Sequence, residues 1–216
     1  MFFEPSGTRL DIHFRLLCIP IRIHPMFWVV AVLLGWSLPV VEQILWVVVV
    51  FFSVLVHEMG HALSARIAGQ TTHVVLHTMG GLTIFDEAAP ARPRWKRALV
   101  AFSGTLAGFL LAGLTYLLVP LLGAVESGIL GALYFHLLWV NIVWGLVNLL
   151  PIWPMAGGQI ARSLLVEFVG DTGFSISSLA SVAVAGLVAF VAWQFSQPII
   201  SMFFAYFAYR EFESTV

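Results

Sequence analysis

The sequence predicts an all-α polytopic membrane protein: six transmembrane helices, with short β-strands at the N-terminus and in the loop between helices 2 and 3. Three observations carry this. Of the 216 residues, 60% are hydrophobic and only 10% charged, with a mean hydropathy of +0.98, far from an ordinary soluble domain. The apolar residues gather in runs long enough to cross a bilayer at ~1.5 Å of helical rise per residue. All ten Lys and Arg fall between or beside these runs on one alternating side. The length suits one membrane domain over residues 1–216, with N-terminal strands at 1–24, core helices 1–4 at 25–169 and helices 5–6 at 170–216. A lone cysteine, Cys18, excludes an intramolecular disulfide framework.

In order along the chain, Leu10 to Leu16 and Ile19 to His24 alternate apolar with polar residues, which predicts two short strands. No cleavable leader is expected, because the first apolar run lies too deep and lacks a small-residue cleavage site. A short first span covers 27–41, interrupted by Pro39, and the second covers 44–68. Two β-like pieces, His73 to His77 and Leu82 to Phe85, meet near Gly80-Gly81. The third span, 98–118, places Ser103, Gly104, Ala107 and Gly108 on neighbouring turns, suited to close helix packing. The fourth, 129–150, is broken by Pro151 and Pro154 and resumes through Gly157-Gly158 to Val169. Residues 177–193 and 199–209 complete the set.

Orientation follows from the basic residues. Arg9, Arg15 and Arg22 precede span one; Arg66, Arg92, Arg94, Lys96 and Arg97 separate spans two and three; Arg162 and Arg210 end spans four and six. The connections around 39–43, 120–128 and 194–198 hold no Lys or Arg. Both termini are therefore expected in the cytoplasm. Tryptophans 28, 36, 46, 139, 144 and 193 read as interfacial belt residues, and Trp153 as a wall of the break.

The chemistry resides in His57-Glu58-Met59-Gly60-His61. Residues four apart on a helix share a face, so two imidazoles converge on one point and offer two ligands to a tetrahedral Zn²⁺. Glu58 beside them can take a proton from an attacking water. Ionisable groups at membrane depth are costly to bury without a partner, which favours a metal site over coincidence. A broken helix at such depth is tolerated only where protein or a water-filled cavity satisfies its backbone. His61 lies five residues before Arg66 and Ala156 six before Arg162, so the break from Pro151 to Gly158 is expected to face the histidines.

The two motifs together, His57-Glu58-x-x-His61 and Asn148-x-x-Pro151-x-x-Pro154-Met155-Ala156-Gly157-Gly158, resemble the site-2 protease family of intramembrane zinc metalloproteases. The stretch Ile19 to Pro25 and Met79-Gly80-Gly81 add to the likeness, which covers roughly residues 19–165. The resemblance implies Glu58 as catalytic base, His57 and His61 as ligands of one Zn²⁺ per chain, and Asn148, Pro151, Pro154 and Gly157 as substrate-binding. It implies a substrate that is a transmembrane or juxtamembrane segment of another membrane protein, in the cell (inner) membrane of a prokaryote, with the lipid bilayer and no nucleic acid as partner.

One departure is decisive. Where the family carries an aspartate as third zinc ligand, this chain has Ala156, and a methyl group cannot coordinate. Glu167 shares the face of Ala156 but lies about 16 Å along the axis; Asp171 is farther. Asp86 and Glu87 would need their loop to fold back, and His73 and His77 read as interfacial. Span three also has Gly104-Thr105 where relatives often have Gly-Pro. Zinc is thus expected to be weak or absent. Three functions compete: an impaired intramembrane protease, a silent member that binds such segments uncut, and a transporter. The paired motifs and the lack of an internal repeat disfavour the transporter.

Overall fold

The structure, a computed structural model, describes residues 4–78, 80–85, 93–122 and 128–215. Met79, Asp86, Glu87 and Arg92 lie outside them. The chain divides into two compact units, Met1–Pro90 with Ser103–Gly145 and Ala91–Phe102 with Leu146–Val216.

The first unit opens with β1 (Ile12–Leu16) and β2 (Ile19–Ile23), then α1 (Pro25–Leu34) and α2 (Val40–Ile67), then β3 (Thr72–His77) and β4 (Gly80–Phe85). The strands form one sheet in the order β1-β2-β3-β4. β2 runs antiparallel to β1 and parallel to β3, so α1 and α2 make the crossover; β4 returns antiparallel to β3 and forms an edge. Alternation places Ile19, Ile21 and Ile23 of β2 inward, onto Phe27, Ala31, Val49, Val54 and Met59. This packing holds the middle of α2 against the sheet and sets which of its faces can meet β4.

Span one differs from expectation. α1 stops at Leu34 because Gly35 caps it, the space a Gly35 Cβ would need being filled by the Trp46 ring. The indole Nε1 donates to the Ala31 carbonyl at 3.1 Å. α2 then starts directly after Pro39 and runs 28 residues, about 42 Å.

Helix α3 (Arg94–Leu118) is shared between the two units. α4 (Gly128–Trp139) passes through a π-helical turn, Val140–Trp144, into α5 (Gly145–Asn148). Asn141, inside that turn, donates to the Ser53 hydroxyl at 2.8 Å and to the Leu137 carbonyl at 2.9 Å. His136 is buried edge-on against Trp46, with ring centroids 5.5 Å apart.

The second unit holds the break, then α6 (Ala156–Val169), α7 (Asp171–Gln194) and α8 (Pro198–Glu213). The turn between α6 and α7 closes tightly because Gly170 adopts φ +62°. α7 buries the small residues Ser177, Ser178, Ser181, Ala185, Ala189 and Ala192, letting its neighbours approach closely. Four described helical stretches are long and apolar enough to cross a membrane: Val40–Ile67, Arg94–Leu121, Gly128–Asn148 and Asp171–Gln194. α1 has 10 residues and α8 has 16.

Candidate metal centre

The centre is built on the last third of α2. His57 and His61 bring their Nε2 atoms to 3.1 Å of one another, and the ligand atoms of His57, Glu58 and His61 all lie within 4.8 Å. Two nitrogens each ~2.0–2.1 Å from a tetrahedral zinc would be about 3.3–3.4 Å apart. The pair therefore has the bite a zinc ion needs. Among the described residues no other trio of His, Cys, Asp or Glu converges this way.

Three backbones close around these side chains. Gly104 of α3 lies under His61, and a Cβ there would overlap the imidazole. Gly81 of β4 lies against Glu58, and a Cβ there would overlap its Cγ and Cδ. Gly60, within the motif, admits the Ser103 carbonyl oxygen, with a hypothetical Cβ only 2.5 Å away. Ser103 Oγ donates to the Gly60 carbonyl at 3.0 Å and lies 2.7 Å from Ser64 Oγ, which itself is 2.9 Å from the His61 carbonyl. These contacts tie α3 to the turn carrying His61.

Glu58 is buried. Its Oε2 accepts from the Thr83 hydroxyl at 2.7 Å, and its backbone carbonyl lies 3.2 Å from the same Oγ. Sequence reading missed Thr83 altogether and took Gly81 for a strand joint; the only available signal was a hydroxyl two residues beyond a glycine on a strand. His73 and His77 stay out of the cluster. His73 Nε2 lies 3.4 Å from Glu4 Oε2. His77 is buried at the end of β3, and that burial, then the charges of His24 and Arg22, holds its imidazole pKa below the usual value.

The break, in the second unit, is equally organised. α5 ends at Asn148, and Asn148 Oδ1 accepts from the Ala156 N–H at 3.3 Å, capping the helix that resumes there. Gln159 Nε2 donates to the Pro154 carbonyl at 2.8 Å. The Trp153–Pro154 peptide is cis. Gly157 and Gly158 are dictated by close approach: a Cβ on either would overlap the backbone of Leu149 to Trp153. Ala156 is buried.

Arg162 was expected to mark the cytoplasmic end of a span, and sequence reading gave it no partner. Its guanidinium stacks over Trp153 at 4.1 Å and Phe174 at 4.5 Å. It donates to Ser177 and Ser178, both at 3.2 Å, and pairs with the buried Glu211 of α8. The Trp153 N–H donates to Ser181 Oγ at 2.8 Å. Of the carboxylates weighed as stand-ins for the missing ligand, Glu167 and Asp171 are exposed.

Two convergent imidazoles and a buried carboxylate on an apolar helix form a group close enough to hold a metal ion. The family model for peptidase family M50 matches residues 45–125. A zinc metalloprotease of Methanocaldococcus jannaschii is 30% identical over 162 residues, covering 73% of this chain and 46% of that protein. Stage IV sporulation protein FB of Bacillus subtilis is 30% identical over 146 residues, 67% of this chain and 47% of that one. In fold, the solved site-2 protease from Methanocaldococcus jannaschii matches with a TM-score of 0.63 at 22% identity, covering 93% of this chain and 94% of that chain. The chain belongs to the site-2 proteases, peptidase family M50, and is an integral membrane protein. It spans less than half the length of these curated relatives.

Proposed function

We propose that this chain is an intramembrane zinc peptidase of the site-2 type, acting on transmembrane or juxtamembrane segments of other membrane proteins and severely impaired while residue 156 is alanine. The observation that carries this is the pairing of a complete His57-Glu58-His61 centre with a fully built break whose one missing group is a ligand. His57 and His61 would hold one zinc ion. When bound, that ion supplies Lewis acidity to the scissile carbonyl and makes the attacking water more acidic. Glu58 takes the water's proton at Oε1, while Oε2 stays engaged by Thr83, and returns it to the leaving amide nitrogen. Substrate must be extended at the point of cleavage. Edge strand β4 offers it main-chain pairing, and Asn148, Pro151, Pro154 and Gly157 are the substrate-binding residues that the family motif implies.

The alanine lowers zinc affinity for two reasons. A catalytic zinc normally has three protein ligands, and loss of an anionic one removes charge compensation that counts for more at low dielectric than in water. The second reading, a silent member that binds such segments without cutting, is favoured by Ala156 alone. We place the chain in the cell membrane of a prokaryote as six spans with cytoplasmic termini, α1 and α8 supplying the two short ones. The experiment is metal content and peptide-bond cleavage for the chain as written, for Ala156→Asp, and for Ala156→Asp with Glu58→Gln. Expected are weak or no zinc, then one zinc with cleavage, then zinc without cleavage. Zinc restored without cleavage would establish the silent reading, and tight zinc with normal cleavage in the unaltered chain would refute the ligand assignment.

A further inference from the structure

The general base is held by a residue that no motif includes. Thr83 and Gly81 are two apart on β4, so both side-chain positions face the same way, toward α2. They do complementary things. Gly81 leaves the space that the Glu58 side chain occupies, and Thr83 supplies the hydrogen bond that orients it, 2.7 Å from Oγ1 to Oε2. Thr83 is itself buried, and its main chain pairs in register with fully buried Val74 of β3.

A buried carboxylate has few ways to be satisfied, and each hydrogen bond to it is stronger than a neutral one. The Thr83 hydroxyl has a single proton and two acceptors in reach, Oε2 and the Glu58 backbone carbonyl at 3.2 Å. The shorter contact to the carboxylate wins that proton. With Oε2 so engaged, Oε1 becomes the oxygen that exchanges a proton with water. The hydroxyl resides on a strand at the edge of the sheet, so the donor and the free pairing edge belong to one element.

We propose that Thr83 is the positioning residue for the general base: its hydroxyl orients Glu58 and ties that orientation to the edge strand on which substrate lies. This rests on the peptidase reading given above. It implies that the base is aligned before substrate arrives, by the same strand that would receive it.

The test uses the full chain carrying Ala156→Asp, with Thr83→Val, Thr83→Ala and Thr83→Ser added singly. Thr83→Val and Thr83→Ala should each lower kcat about ten- to a hundredfold, part of the ~10²–10⁴ that general acid–base catalysis contributes, with KM and zinc content unchanged. Thr83→Ser, which keeps the hydroxyl, should retain kcat within about threefold, well short of that loss. A second readout needs neither metal nor turnover. The infrared band of the Glu58 carboxyl, isolated by difference against Glu58→Gln in metal-free protein, should shift in Thr83→Val and return in Thr83→Ser. An unmoved band, or Thr83→Ser as damaging as Thr83→Val, overturns the proposal. If Ala156→Asp never cleaves, the peptidase reading fails while the infrared comparison still decides the role of Thr83.

Discussion

The HExxH turn of α2 and the break between α5 and α6 are both places where backbone is brought close by glycine, yet they have aged differently. Around α2 the supports and the chemistry are both present: Gly81, Gly104 and Ser103 fit side chains that can still bind metal and move a proton. At the break the supports are all present, and position 156 carries a methyl group that cannot coordinate a metal. Asn148 still caps residue 156, Gly157 and Gly158 still admit the returning chain, and Gln159 still holds Pro154. The glycines at both places are demanded by the atoms packed against them, whether or not a metal is bound. The contrast therefore narrows to one side chain, the methyl group at position 156.

The largest test of that contrast is equivalence. Once Ala156→Asp is introduced, adding His57→Ala should lower zinc affinity as far as reverting residue 156 does. Chelator competition should report more than the ~10–100-fold that loss of an outer-shell partner costs. A His57→Ala effect far below that of the reversion would mean that the two regions contribute unequally.

Next in size is Arg162→Met, which leaves Glu211 buried without its cation. Breaking a buried pair from one side costs about 3–5 kcal/mol, seen as a lowered unfolding midpoint in detergent. Arg162→Met with Glu211→Leu should recover most of it, and failure to recover would mean that the stacked Trp153 and Phe174 carry the stability instead.

Smaller again is Gly104→Ala. Its Cβ meets the His61 ring, so we expect about 1–3 kcal/mol of overpacking and loss of zinc from the Ala156→Asp protein. Gly113→Ala in the same helix meets nothing within 4 Å and should gain up to about 1 kcal/mol of helix propensity. Equal effects from the two would remove the contact from the argument.

The smallest is a pH effect outside the membrane. The Thr8 hydroxyl, with Arg22 beside it, holds the Asp11 carboxyl at about 2, below its ordinary 3.8. A depressed carboxylate pKa contributes stability above the unfolded value and loses it as pH falls through the folded one. Protease nicking of the N-terminal segment before β1 should thus rise between about pH 4 and pH 2, and Asp11→Asn should abolish that rise.

Much of this was legible because membrane proteins write their depth into composition. The four long helices follow from apolar runs, and the break follows from Pro151, Pro154 and two glycines. What sequence could not give was any partnership that crosses elements. Thr83 reads as an ordinary strand threonine until β4 is laid against α2. Gly104 reads as a generic helix-packing residue until His61 sits over it. Arg162 reads as a topological marker, because a lone arginine after an apolar run looks the same whether it reaches headgroups or a glutamate 49 residues later. Local pattern reports what a residue tolerates, and only the fold reports whom it meets.

That last separation has a consequence for how the protein is made. At about 5–20 residues per second of synthesis, Arg162 leaves the ribosome roughly 2.5–10 s before Glu211. During that interval its guanidinium has first the face of Trp153, then, as α7 is made, Phe174 and the α7 serines, but no counter-charge. The stack on Trp153 can form early, whereas the ion pair must wait for α8. Completion of this ion pair is therefore timed by the synthesis of α8, and a chain stalled or cut before Glu211 would carry Arg162 without its counter-charge.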